Sequence, residues 1–184
     1  MTQPLHIGLL GAMPEEIGSD LSHLNDLSCS EHGDLRVHRG SWHDQVRLTL
    51  AWSGWGKVSA ARAAIRLLAS DPSIDLLLFT GVAGAADPAL RQWDVVLADA
   101  VVQHDMDARP LFPRFTLPAL KQDRLQPQPA WFNWAKTALL EAHSKGDLDG
   151  FARPSSGLIA TGDRFIGDPA VLQALRDALP DLRA

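Results

Sequence analysis

The sequence predicts an α/β domain with a mixed, largely parallel central sheet flanked by helices. Three observations carry this reading. Short apolar runs recur at Leu5–Gly11, Leu76–Thr80 and Gly157–Thr161, and each ends in or runs into glycine. Stretches with apolar residues at helical spacing lie between them. The 184 residues are 46% apolar and 21% charged, the composition of a folded core rather than a disordered chain. Residues 1–184 therefore read as a single α/β domain.

Taken in order, Leu5–Gly11 is a buried first strand. Pro14 suits the first position of a helix, with Met13, Ile17, Leu21 and Leu24 on one face. Residues 34–53 form two strands joined at Trp42–Asp44. A helix follows, with Val58, Ala61, Ile65 and Leu68 in register. After the Leu76–Thr80 strand, Gly81-Val82-Ala83-Gly84 makes a turn, and Trp93–Val102 is another strand. Arg109–Pro129 holds five of the twelve prolines, which bars a regular helix or a central strand and marks a lid or partner-contact loop. A helix resumes near Trp131 with Trp134, Ala138 and Ala142 inward. Asp168 caps a last helix that begins at Pro169 and turns Val171, Leu175 and Leu179 inward.

Charge and composition exclude several classes. Lys plus Arg is 17 against 22 Asp plus Glu, a net charge of −5, which disfavours general nucleic-acid binding. No apolar run reaches the roughly 18 residues of a membrane span, and the start lacks a basic region for secretion, so no membrane partner and a cytoplasmic location are expected. The single cysteine, Cys29, excludes an internal disulfide or a cysteine-rich zinc site.

Ligands of α/β sheets gather at the carboxyl ends of strands. Three segments sit there: Gly11–Glu16, Thr80–Gly84 and Thr161–Ile166. Glu15 and Glu16 either complement a helix dipole or supply a general base at the sheet mouth. Gly81 to Gly84 is a tight turn or a close backbone approach to a sugar or phosphate. Phe165 is a core aromatic or a ring that stacks on a flat base. In His104-Asp105-Met106-Asp107 a metal is weakly suggested, and hydrogen bonds that fix the loop are the stronger reading. Gly8-Leu9-Leu10-Gly11 lacks dinucleotide-site spacing. Ser53-Gly54-Trp55-Gly56-Lys57-Val58 lacks the Ser or Thr and the first glycine of a phosphate loop, and Ser53 is not in a nucleophile elbow.

In this order, the segments Ile7–Ile17, Ser53–Val58, Thr80–Gly84, His104–Asp107 and Gly157–Ile166 resemble the 5′-methylthioadenosine/S-adenosylhomocysteine nucleosidase family of the nucleoside phosphorylase superfamily. The resemblance implies hydrolysis of an N-glycosidic bond with release of adenine, by a cytoplasmic homodimer of methionine salvage that uses no metal or organic cofactor. It assigns Glu16 to water activation, and Ala12 and Met13 to the water and ribose. Trp55 stands at a ribose position usually held by a smaller residue. Val82, Ala83 and Gly84 fall beside base and sugar, Phe165 on the adenine face, and Ile166 at the adenine edge. Phosphate-using relatives place an arginine soon after the equivalent proline; Glu15 and Glu16 there favour water over phosphate. A related nucleoside hydrolase or phosphorylase, of futalosine type or acting on another purine nucleoside, is the alternative, as is a non-catalytic nucleoside-binding fragment. The family's Glu-Met-Glu and Ser-Asp segments have no counterpart before Ala184, so the domain is expected to be incomplete at its C-terminal end.

Overall fold

The computed structural model describes residues 4–17, 21–43 and 45–184. The chain forms two compact units, Met1–Val82 and Ala83–Ala184. Three of the five strand pairings are parallel, and helices accompany both sheets, so the mixed α/β class expected from the sequence is the one observed.

In the first unit the elements run β1 (Leu5–Gly11), α1 (Pro14–Ile17), β2 (Asn25–His32), β3 (Leu35–Trp42), β4 (Val46–Trp52), α2 (Lys57–Ser70) and β5 (Leu76–Phe79). The sheet order is β2-β3-β4-β1-β5. β1 is parallel to both β4 and β5, which explains its apolar content: a strand hydrogen-bonded on both edges and covered by a helix has little contact with water. Leu10, Leu35, Val37, Ala51, Ala63 and Leu67 form the core, with Ala64 and Ile74 packed against it.

Two expectations for this unit are corrected. The helix from Pro14 does not carry Leu21 and Leu24 on one face with Met13 and Ile17. It is described to Ile17, residues 18–20 lie outside the described set, and Leu21–Leu24 closes a turn before β2. Asp44, at the expected junction of the two following strands, also lies outside that set. β2 itself escapes the sequence pattern, because Asn-Asp-Leu-Ser-Cys-Ser-Glu-His is an exposed edge strand with no apolar face to bury. In α2 the predicted stripe Val58, Ala61, Ile65 and Leu68 faces outward, with Val58 79% and Ile65 69% exposed. The inward residues are Ala63 and Leu67, one turn apart, both fully buried in the core with Leu10, Leu35, Val37 and Ala51. Arg62 and Arg66 of α2 pair with Asp34 in the β2–β3 turn.

The second unit contains β6 (Val96–Gln103), α3 (Pro129–Lys145), β7 (Ser155–Thr161) and α4 (Pro169–Ala178), with β6 and β7 parallel. Its core joins Ala86, Ala100, Val102, Phe115, Leu158, Leu175, Leu179 and Leu182. Asp168 caps α4 as expected, accepting from the Ala170 N–H at 2.8 Å, and Leu175 and Leu179 are buried. α3 ends at Gly146 in the left-handed conformation, which lets its N–H close on the last turn. Its expected inward face is corrected in part: Ala142 is half-buried, but Trp134 and Ala138 are exposed, and Trp131, Phe132, Ala135, Leu139 and Leu140 are half-buried instead. The proline-rich loop forms no helix or regular strand, yet it is tied down. Phe115 is buried and donates its N–H to Met106 O at 2.8 Å, Leu125 exchanges two backbone hydrogen bonds with Val101, and Arg124 makes a two-point ion pair with Asp181. That pair holds the Asp181 carboxyl below its usual range. Leu182, Arg183 and Ala184 run beside β7, where Arg183 N–H reaches Leu158 O at 2.9 Å and Ala160 N–H reaches Ala184 O at 2.7 Å.

At the amino end of β1, buried His6 satisfies both ring nitrogens with hydroxyls: Nε2 lies 2.8 Å from Thr49 Oγ1, and Nδ1 lies 3.0 Å from Ser73 Oγ. Asp71 is 3.9 Å from Nε2 and 3.6 Å from Arg47. Burial dominates and lowers the imidazole's affinity for a proton below its ordinary value of 6.5, against the pull of Asp71. His38 shifts the same way, through burial and then Arg36. For Asp71, burial acts upward, but hydrogen bonds from Ser73 with the charges of His6 and Arg47 outweigh it and lower the carboxyl below 3.8. The unfolded chain thus takes protons on these histidines before the folded one does. Stability is complete above pH 6.5 and falls as pH drops below it, with the Asp71 contribution lost only below about 3.8. Thermal melts should show a lower Tm at pH 5.5 than at pH 7.5, and His6→Gln should shrink that difference; an unchanged difference would remove His6 as its source.

Candidate active site

The parallel register of β1 with β4 and β5 brings three carboxyl ends together. Ser53 N–H donates to Gly11 O at 2.9 Å, Gly54 N–H to Ala12 O at 3.0 Å, and Thr80 N–H to Leu10 O at 2.9 Å. Beyond these ties the strands stop and the chain turns. α1 opens at Pro14, so Glu15 and Glu16 fall in its first turn. Glu15 is exposed, whereas Glu16 folds back over the strand ends. Its Oε2 accepts from Ala12 N–H at 2.5 Å and Met13 N–H at 3.3 Å, and its Oε1 accepts from Val82 N–H at 3.2 Å. Ala12, Met13, Glu16 and Val82 therefore meet around one carboxylate. A fixed carboxylate at the sheet mouth can accept a proton from a water on its open side.

The carboxylate needs room, and Gly81 provides it. A Cβ on Gly81 would stand 2.7 Å from Glu16 Oε1. The motif containing Gly81 was visible in the sequence, but its partner across 65 positions was not. Trp55 follows the Gly54 tie and is 77% exposed, so its ring has no packed place within the unit. Val82 is similarly open, with its N–H rather than its side chain engaged.

In the second unit, Ala83 and Gly84 are exposed, and a Cβ on Gly84 would meet nothing within 4 Å. Phe165 is 94% exposed, which excludes the core-aromatic reading. Ile166 is half-buried against the core of Val102, Phe115 and Leu158. The segment before them is anchored to the end of β6: His104 N–H donates to Thr161 O at 2.9 Å, and Asp163 N–H donates to Asp105 Oδ2 at 2.9 Å. Asp107 pairs with Arg109, whose guanidinium holds that carboxyl down to about 2. These are the loop-fixing hydrogen bonds expected of His104-Asp105-Met106-Asp107. A separate open cleft of about 700 Å³ lies at the amino end of β7, lined by Asp99, Ser156, Arg176, Asp177 and Arg183 among others. None of the site residues expected from the sequence lines it.

The sequence pattern of the Phosphorylase superfamily matches residues 6–183. A 5′-methylthioadenosine/S-adenosylhomocysteine nucleosidase from Chromohalobacter salexigens is 32% identical over 179 residues, covering 97% of this chain and 72% of that protein. The chain belongs to this nucleosidase family. The Marinomonas sp. nucleosidase is 33% identical over 180 residues, covering 97% of this chain and 73% of that one. The crystal structure of the Neisseria meningitidis nucleosidase, in complex with methylthio-immucillin-A, superposes with a TM-score of 0.85 at 27% identity over 97% of this chain and 74% of that chain. The chain thus spans just under three-quarters of the length of these relatives. As a member of the family it is a hydrolase of the nucleosidase type.

Filling the space at Gly81 should disturb the Glu16 carboxylate. Gly81→Ala should cost about 1–3 kcal/mol of stability in denaturant unfolding. The cost should fall by at least half in a Glu16→Ala background, where the colliding oxygen is gone. Equal costs in both backgrounds would show that Glu16 does not occupy this space.

Proposed function

We propose that the chain hydrolyses the N-glycosidic bond of 5′-methylthioadenosine and S-adenosylhomocysteine, releasing adenine, with Glu16 as the water-activating base. The observation that carries this reading is the Glu16 carboxylate, oriented by the N–H groups of Ala12, Met13 and Val82 where three strand ends meet. As the bond from the ribosyl carbon to the base nitrogen lengthens, the sugar gains oxocarbenium character. Water attacks that carbon and passes a proton to Glu16, while adenine departs with the bonding electron pair and takes a proton from solvent water. Ala12 and Met13 border the water and ribose in this reading. Trp55 closes over the ribose, Val82, Ala83 and Gly84 present backbone to sugar and base, Phe165 stacks on adenine, and Ile166 reads its edge.

Water rather than phosphate is the favoured nucleophile. Glu15 and Glu16 put negative charge in the turn after Pro14, where a phosphate would need a cation. Positioned general bases contribute about 10²–10⁴ in rate. Glu16→Gln should therefore lower adenine release from methylthioadenosine by at least about 10²-fold with an unchanged circular dichroism spectrum. Added phosphate should not accelerate the parent chain. Full activity of Glu16→Gln, or a phosphate-dependent rate, would overturn the assignment.

The same reading makes the chain a homodimer acting in the cytoplasm on nucleosides of methionine salvage. The outward stripe Val58, Ala61, Ile65 and Leu68 on α2 supports association, since four apolar side chains at helical spacing present one continuous strip to solvent. Sedimentation should give twice the monomer mass for the parent and the monomer mass for Ile65→Glu; identical masses would place any interface elsewhere.

A further inference from the structure

Phe165 has almost no packing of its own. Its ring is nearly free of neighbours except near Gly167, where an added Cβ would stand 3.2 Å from Cε1. An aromatic ring that must meet a flat ligand at one height and angle then takes its position from the backbone before it. That backbone, Thr161-Gly162-Asp163, is held at three consecutive residues by the dipeptide that follows β6. Thr161 O accepts from the His104 N–H, and Asp163 N–H donates to the Asp105 carboxylate, both at 2.9 Å. Between them, Gly162 lies against the His104 imidazole so closely that a Cβ there would overlap the ring. His104 is buried and fills this space, while Asp105 is exposed and acts through its hydrogen bond.

We infer that Asp105, with His104 as the spacer beside Gly162, is a positioning residue for base recognition: it sets where the Phe165 ring and the Ile166 backbone stand. The inference rests on the reading that Phe165 and Ile166 meet adenine. Asp105 itself touches no substrate. Its role is to select one conformation of residues 161–166, so that binding does not have to order that segment.

The test uses the 184-residue chain with adenine as probe. Calorimetry reads adenine affinity, and amide hydrogen exchange reads residues 161–167. Asp105→Ala should speed exchange in that segment and weaken adenine about tenfold, the effect of one lost charge-assisted hydrogen bond. Asp105→Asn, which keeps an acceptor oxygen, should stay within about threefold of the parent in both readouts. Gly162→Ala should also weaken adenine, and His104→Ala should restore much of the loss by vacating the overlap. This pair keeps the test open if Asp105→Ala folds poorly. Phe165→Ala separates the two ideas. Weakened binding in Phe165→Ala alongside parent-like binding in Asp105→Ala would overturn the positioning role. Unchanged affinity in both, with the segment loosened by Asp105→Ala, would instead overturn the reading of Phe165 as the base platform.

Discussion

A carboxylate at the edge of a protein core needs donors, and the ends of parallel strands have N–H groups to give. In a parallel sheet every strand finishes on the same side, so backbone amides that leave the ladder gather there. β1 sits between β4 and β5, and its carboxyl end is where this gathering occurs in the first unit. Glu16 meets the amides of Ala12, Met13 and Val82 at that point. Much else in the unit serves this arrangement. The β1 register sets the height of Gly11, the ties from Ser53 and Gly54 hold the next turn, Pro14 starts α1 so that Glu16 reverses direction, and Gly81 leaves the necessary space.

The opposite end of the same strand does a different job. There, the imidazole of His6 is wrapped by Thr49 and Ser73, with Asp71 and Arg47 nearby. Both ends bury polar groups, and both satisfy them, as interiors require. At one end the satisfied group turns towards solvent and can exchange a proton with a ligand water. At the other it is enclosed, and protonation only weakens the fold. The Glu16 carboxylate and the His6 cluster are thus placed about one strand length apart, with no side chain shared between them.

Legibility in the sequence followed physical period and local chemistry. β1, β5 and β7 were visible because each carries a short apolar run, and α4 because Asp168-Pro169 is a strong start signal. β2 was invisible because an edge strand with two wet faces has no pattern. In α2 the reading chose the wrong side for an intelligible reason: Val58, Ile65 and Leu68 are larger than Ala63 and Ala64, yet close packing on the sheet rewards the small residues. The same misreading recurs in α3 with Trp134. At the site, the strand-end motifs and Glu16 could be picked out one by one. What brings Val82 to Glu16, or Asp105 to Asp163, spans 66 and 58 positions and exists only once the strands have paired.

In the second unit, Leu182 and Arg183 are tied to residues far earlier in the chain. Arg183 O accepts from the N–H groups of Ala86 and Asp87, Arg183 N–H returns to Leu158, and Leu182 completes the apolar core. Residues 86 and 183 are therefore mutually dependent, although almost the whole unit lies between them. The first unit has no such delay, since its strand pairings are complete by Phe79. On a ribosome, which delivers the chain from its amino end, the first sheet can assemble while the second still lacks the residues that shut it. Contacts of such long sequence separation also form slowly even in a finished chain, because a large loop has to close before any of them is gained. The order of translation and the cost of loop closure thus agree: the ties between residues 86 and 183 form after the first sheet in each new molecule.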